Sequence, residues 1–315
     1  MCGNPRQVLP VKARTESIAL WIAYDGTDFA GFQRQAAEHG PTVQGAIEAA
    51  IRAVAGEEVT IVAAGRTDSG VHATGQVVSF RSDARLTARA WGRALNAHLP
   101  RSVAVRAAAP VAAEFHARYS ALARSYRYQI LWDPAPAPLA ERYALRVARR
   151  PDVAAMDLAA VVLRGEHDFA AFGSSPRDQR RDGVRGHCVR VLSEARCRWV
   201  GRRGGFADTT AEAIAVASPG AASTESTSTE STSTETAAGT SIWCEFTANA
   251  FLTGMVRRMV GTLLLVGAGR LTAAGLAAIL EARAKTHPGA AVAARGLCLV
   301  GVTYPAGAVE WESVG

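Results

Sequence analysis

The chain has 315 residues, 49% of them apolar, and carries 35 Lys and Arg against 28 Asp and Glu, a formal charge of +7. That length buries a large core and predicts two domains. Five cysteines, Cys2, Cys188, Cys197, Cys244 and Cys298, are odd in number and form no Cys-x-x-Cys pair, which argues against a disulfide framework and a zinc site and fits a reducing cytoplasm.

Residues 1–16 read as a flexible tail without an apolar core of signal-peptide length, and no stretch is long and apolar enough to suggest a membrane anchor. A first strand is predicted over 18–24, followed by the turn Asp25-Gly26-Thr27-Asp28. Thr42 can cap a helix whose Val43, Ile47, Ala50, Ile51 and Val54 share a face, with Gly56 placed to end it. Strands are predicted over 59–64 and 76–80 on either side of a polar loop. Thr87 then caps a helix with Trp91, Leu95 and Leu99 turned inward, stopped by Pro100, and 103–107 reads as a strand. This order predicts an α+β domain, 17–110, with a largely antiparallel sheet.

A second α+β domain is predicted over 111–305. Residues 124–132 alternate, with Tyr126, Tyr128, Ile130 and Trp132 on one face and Arg127, Gln129 and Leu131 on the other. A helix over 153–163 and strands over 189–200 and 242–248 follow. Asn249 is placed to cap a long helix with Leu252, Met255, Val256, Met259, Val260 and Leu263 as its buried stripe. A helix over 272–283 and a strand over 297–304 complete the pattern, leaving 306–315 as a tail.

Between residues 204 and 240 there is no Lys or Arg, but there are five acids, Asp208, Glu212, Glu225, Glu230 and Glu235. Setting those acids aside leaves the rest of the chain at +12, a charge suited to a polyanion, with nucleic acid ahead of an anionic membrane. Within this region, residues 223–236 repeat Ser, Thr and Glu without an apolar side chain to offset the entropy of ordering. Residues 207–240 are therefore expected to be a disordered insertion in a hairpin loop.

Asp68 lies in Gly65-Arg66-Thr67-Asp68-Ser69-Gly70-Val71-His72, where flanking glycines let backbone approach a ligand closely. By itself it is equally a turn Asp bonded to its own backbone. His72 and His167 are too isolated to suggest metal ligands, and no phosphate-cradling Gly-rich loop precedes a helix, so neither a metal nor a nucleotide cofactor is expected.

Three segments taken together carry a resemblance: Tyr24-Asp25-Gly26-Thr27-Asp28-Phe29-Ala30-Gly31-Phe32-Gln33, the Asp68 loop continuing through Phe80, and Asn249-Ala250-Phe251-Leu252-Thr253-Gly254-Met255-Val256-Arg257-Arg258. With Phe115-His116-Ala117-Arg118-Tyr119, Arg124-Ser125-Tyr126-Arg127-Tyr128, Gly165-Glu166-His167-Asp168-Phe169 and Ala294-Arg295-Gly296-Leu297, the chain resembles the tRNA pseudouridine synthase A family from about residue 18 to 305. It departs from the family pattern at Phe32, often Trp, and at Thr253-Gly254, commonly a His-containing pair.

The resemblance implies two ferredoxin-like, RRM-like subdomains with mainly antiparallel sheets joined across a central catalytic cleft. It implies isomerisation of uridine to pseudouridine in the anticodon stem-loop, at the sites conventionally numbered 38 to 40, by a cytoplasmic homodimer that needs no cofactor. Asp68 takes the nucleophile's position, since a carboxylate can hold the detached fragment covalently and still leave. Arg257 is its implied cationic partner, Arg66 the wedge or clamp for the extruded uridine, and Tyr126 the active-site tyrosine that stacks on uracil. Phe115, His116, Ala117, Arg118, Tyr119, Phe172, Ser174 and Ser175 match segments that contact tRNA. Two other readings compete: an RNA-binding module without turnover, for which a nucleophile is superfluous, and an acid–base glycosidase on nucleosides, for which Asp25 or Asp28 would supply a second carboxylate beside Asp68.

Overall fold

The computed structural model describes residues 15–174, 188–201, 240–283 and 289–314. In chain order, β1 (Glu16–Tyr24) leads to α1 (Val43–Ala55), the short β2 (Val62–Ala63), β3 (His72–Ser82), α2 (Ala88–His98) and β4 (Val103–Val111). The second half runs β5 (Ala123–Trp132), β6 (Leu145–Val147), α3 (Val153–Ala160), β7 (Gly165–Asp168), β8 (Val189–Gly201) and β9 (Thr240–Ala248). It finishes with α4 (Met255–Gly267), α5 (Ala273–Ala282), β10 (Leu297–Thr303) and β11 (Glu312–Ser313).

All these strands join one sheet ordered β11-β4-β1-β3-β10-β5-β9-β8-β7, with β2 on β3 and β6 on β5. Pairing is antiparallel except for β3–β10 and β5–β6, so the architecture is α+β, as expected from the element order. The two halves of the chain meet where β10 slots between β3 and β5. Gly75 makes that junction possible, because a Cβ there would lie 2.2 Å from the Val300 carbonyl oxygen.

Several predicted caps are in place. Thr42 Oγ1 accepts from Gly45 N–H at 3.2 Å, Gly56 closes α1 in the left-handed region, and Thr87 Oγ1 accepts from Ala90 N–H at 3.2 Å. Ile18, Leu20 and Ile22 of β1 share a core with Ile47 and Ile51 of α1 and with Trp91 and Leu95 of α2, all fully buried; Trp91 meets Phe80 edge-to-face at 5.2 Å. Each such aliphatic side chain contributes roughly 1.5–3 kcal/mol on burial. Tyr128, Ile130, Phe246, Met156, Met259 and Leu263 play the same part in the second half.

Four expectations are corrected. The strand expected over 59–64 shrinks to Val62–Ala63, because the Ile61 N–H is taken by Glu48 Oε1 at 3.1 Å and not by a strand. The helix expected from 153 to 163 changes to a 3-10 turn at Val161. Asn249 does not cap α4: its Oδ1 accepts from Val191 and Ala250 N–H groups at the strand edge, and the helix starts after Gly254. The stretch expected as a C-terminal tail adds β11 to β4, with Trp311 against Trp21 at 6.0 Å and Val314 buried.

β5 is buried on both faces. Arg127 donates through Nε and Nη2 to Glu245 Oε1, at 2.9 and 2.7 Å, while its guanidinium lies 3.5 Å from the Trp243 ring centroid. Burial would raise the Glu245 carboxyl, but Arg127, Arg196 and Arg198 around it hold it below the usual carboxylate range. At the far end of the β8–β9 pair, Gly201 sits opposite Ser241. Residues 202–239, which hold the Ser/Thr/Glu-rich segment expected as a disordered insertion, lie outside the described residues.

Candidate active site

The loop from 64 to 71 connects β2 to β3 and is held by the β1–α1 connection. The Phe32 N–H donates to the Thr67 carbonyl at 3.0 Å, Ser69 Oγ donates to the Phe29 carbonyl at 3.1 Å, and Tyr24 Oη shares a 2.8 Å hydrogen bond with Thr67 Oγ1. Gly31, at φ +115°, passes directly beneath, where a Cβ would meet the Thr67 carbonyl oxygen at 3.1 Å. From the other side, fully buried Gln76 donates through Nε2 to the Gly65 carbonyl at 2.7 Å and accepts from the Gly65 N–H at 3.4 Å.

This cradle presents Asp68 to Arg257 on the first turn of α4. Arg257 Nη1 lies 3.3 Å from Asp68 Oδ2, and its Nε donates to the Val292 carbonyl at 2.7 Å. The Asp68 side chain remains 37% exposed and that of Arg257 24%, so the carboxylate is paired yet reachable. Tyr126, inward-facing on β5, packs edge-to-face against Phe251 at 5.0 Å with its hydroxyl near the Gly65 backbone. Burial raises its phenol well above the ordinary value, with Arg124 opposing and Asp68 reinforcing the shift.

Around these groups opens a pocket of about 790 Å³, lined also by Arg66, His116, Arg118, Tyr119 and Arg124. Arg66 is exposed. The His116 ring is oriented by Arg118 and Tyr119 N–H groups, each donating to Nδ1 at 3.2 Å, and it stacks on Tyr119 at 4.3 Å. Tyr119 is 76% exposed, the form of a flat surface offered to a planar ligand.

Other expected contact residues lie outside the pocket lining. Phe115 packs on Tyr304 at 5.1 Å, and Ala117 is buried, donating to Ser79 Oγ and accepting from Tyr304 Oη. Phe172 is fully buried in the core beside Phe169, which corrects its expected place on the substrate. Ser174 bridges to Thr253, accepting its N–H at 3.2 Å. Ser175 lies outside the described residues.

Asp25 is committed elsewhere. It accepts from Thr27 N–H and Oγ1, from Arg142 Nε and Nη2, and from Tyr143 Oη, with His72 Nδ1 at 3.1 Å. Partial burial would raise its carboxyl, but these donors hold it well below the usual carboxylate range. Asp28 lies 3.9 Å from Arg142. Among the described residues Asp68 is therefore the single carboxylate lining the pocket, and the second carboxylate a glycosidase needs is not beside it.

Two residues that hold the site escaped sequence reasoning. Gln76 and Arg124 lie in segments that carry the resemblance, but neither is assigned a role by it; their roles depend on distant backbone carbonyls that no spacing in the sequence announces. The resulting site combines one accessible carboxylate, a fixed guanidinium, a neutral phenol and a cationic rim. Such a set can attack an electrophilic carbon of a polyanionic substrate.

A tRNA pseudouridine synthase family model matches residues 20–120 and 159–305. Similar curated proteins include tRNA pseudouridine synthase A of Moorella thermoacetica, 38% identical over 287 residues that cover 91% of this chain and 99% of that protein. The protein of the same name from Chloroflexus aurantiacus is 39% identical over 94% of this chain and 91% of its own length. That from Xanthomonas oryzae pv. oryzae is 38% identical over 93% and 96%.

Proposed function

The chain belongs to the tRNA pseudouridine synthase family, and from that membership we propose that it isomerises uridine to pseudouridine in the anticodon stem-loop of tRNA, at positions 38, 39 and 40, with Asp68 as covalent nucleophile. The observation that carries the reading is the pairing of Asp68, the one carboxylate lining the pocket among the described residues, with Arg257 beside the neutral Tyr126.

The reaction is an internal rearrangement and consumes no other reagent. The C1′–N1 bond breaks, Asp68 holds the detached fragment as an ester at C1′ or an adduct at C6, and the uracil turns. The C1′–C5 bond then forms, the covalent bond to Asp68 breaks to return a free carboxylate, the C5 proton leaves and N1 gains a proton. Arg257, 3.3 Å from Asp68, orients its carboxylate among RNA phosphates. Tyr126 presents its ring to the uracil and a protonated hydroxyl near C5. Arg66 fills or clamps the space that the extruded nucleotide leaves in the stem, and His116, Arg118 and Tyr119 hold neighbouring RNA.

The same reading takes the sheet as two RRM-like halves, 17–110 and 111–305, the enzyme as a cytoplasmic homodimer, and the tRNA anticodon arm as the partner. Its test is tritium release from tRNA labelled at uridine C5. Release by the parent protein, none by Asp68→Ala, and retained tRNA binding by that variant are expected. Binding without release by the parent, or appearance of free uracil, would overturn it.

A further inference from the structure

Arg124 is a buried cation, 8% exposed, whose five hydrogen bonds in the structure all end on backbone carbonyls. Buried arginines are ordinarily neutralised by a carboxylate. Here the planar fork uses its fixed donors on neutral dipoles drawn from three separate segments. Nε and Nη2 donate to the Ala64 carbonyl at 3.1 and 2.9 Å, where the chain enters the Asp68 loop. Nη1 donates to the Asn249 carbonyl at 2.8 Å, at the start of the segment that leads to Arg257, and to Ala121 at 3.1 Å. Nη2 also donates to the Arg118 carbonyl, in the loop that carries His116 and Tyr119.

Arg124 lines the pocket and stands two residues before Tyr126 on β5, so one side chain is tied to every segment that supplies the site. The Asp68 loop and α4 belong to different halves of the chain, and β5 carries Tyr126 between them. The direct side-chain bond between the two halves at this point is the partly exposed Asp68–Arg257 pair, which by itself is a weak constraint.

We propose that Arg124 is a positioning residue, which sets the Asp68 loop in register with the segment that carries Arg257; the proposal rests on the synthase reading above. A lysine keeps the charge but has three donors on one atom and cannot span the three segments. Misplacement of a reacting group by about 1 Å costs on the order of 10²-fold in rate, without a matching loss of ground-state binding.

The experiment is single-turnover tritium release at saturating enzyme, with tRNA affinity measured separately, for the parent, Arg124→Lys and Arg124→Ala. The expected result for Arg124→Lys is a fall in rate constant of about tenfold or more, with tRNA affinity within about threefold of the parent. Guanidinium ion, but not ammonium at the same ionic strength, should restore part of the rate to Arg124→Ala. A Lys variant with the parental rate, a defect that appears only in affinity, or equal rescue by both cations would overturn the proposal. A parent that releases no tritium overturns the synthase reading, and this one with it; an active parent with an equally active Lys variant overturns this one alone.

Discussion

Asp68 and Arg257, 189 residues apart in the chain, meet at 3.3 Å while Arg257 is held at its other end by the Val292 carbonyl. Both groups are partly solvated, so the pair contributes only about 0–1 kcal/mol to stability. Its consequence is orientation. The carbonyl fixes the guanidinium, and the guanidinium turns the carboxylate toward the pocket.

Arg257→Lys should therefore unfold near the parental temperature yet lose turnover, by about 10²-fold, because an ammonium cannot serve Val292 and Asp68 in the same fork geometry. Single-turnover tritium release beside a thermal melt separates the two effects.

Tyr126 offers a ring and a hydroxyl, which two variants divide. Tyr126→Phe should bind tRNA as the parent does and turn over more slowly, whereas Tyr126→Ala should also lose binding of about 1–3 kcal/mol from the missing stacking surface. Burial raises the phenol above its ordinary value, so the neutral hydroxyl persists to higher pH than in a free tyrosine. The parental rate should show no decline from phenolate formation up to about pH 10; a fall near pH 9 that Tyr126→Phe abolishes would count against this assignment.

Gln76 satisfies both the N–H and the carbonyl of Gly65. Gln76→Leu keeps the volume but strands those groups in a buried setting, at a cost of about 1–3 kcal/mol. Urea denaturation should record that loss. The turnover of the folded fraction should also fall, because Gly65 begins the Asp68 loop.

Acid stability should decline in two stages. Burial holds His72 below its ordinary value against the pull of Asp25, so the unfolded chain binds that proton more readily. The stability this represents is complete above about pH 6.5 and is lost as pH falls through the lower folded value. Asp25, also lowered, contributes above about pH 4 and loses its part below. Melting temperatures of Asp25→Asn across this range should lack the lower stage. The upper stage should deepen in that variant, since His72 loses the charge that favours its protonation.

Much of this was legible in the residues. Thr42, Thr87 and Thr272 mark helix starts, and Thr42 and Thr87 stand before stretches whose apolar spacing supports a helix face. The long strands announce themselves by length and β-branched or aromatic content. Strands of two to four residues, β6, β7 and β11, carry too few positions for a period to show. Asn249 misled because its capping chemistry is the same whether its oxygen serves a helix or the β8 edge. At the site, Asp68, Tyr126, Arg257 and Arg66 came from motif matches and converge on one pocket. Arg124 and Gln76 act on carbonyls set by tertiary packing, which a linear pattern does not encode. Phe172 shared its segment's resemblance but turns into the core.

The place of β10 between β3 and β5 has a consequence for synthesis. It pairs with β3 at only His72 and Ala73, yet it is the strand through which the N-terminal half joins the C-terminal half. A chain emerging from the ribosome can fold its first strands and helices early, as domains generally do. Residues 297–303 follow Asp68, Tyr126 and Arg257 in the chain, so every residue of the site is made before the strand that joins the two halves of the sheet.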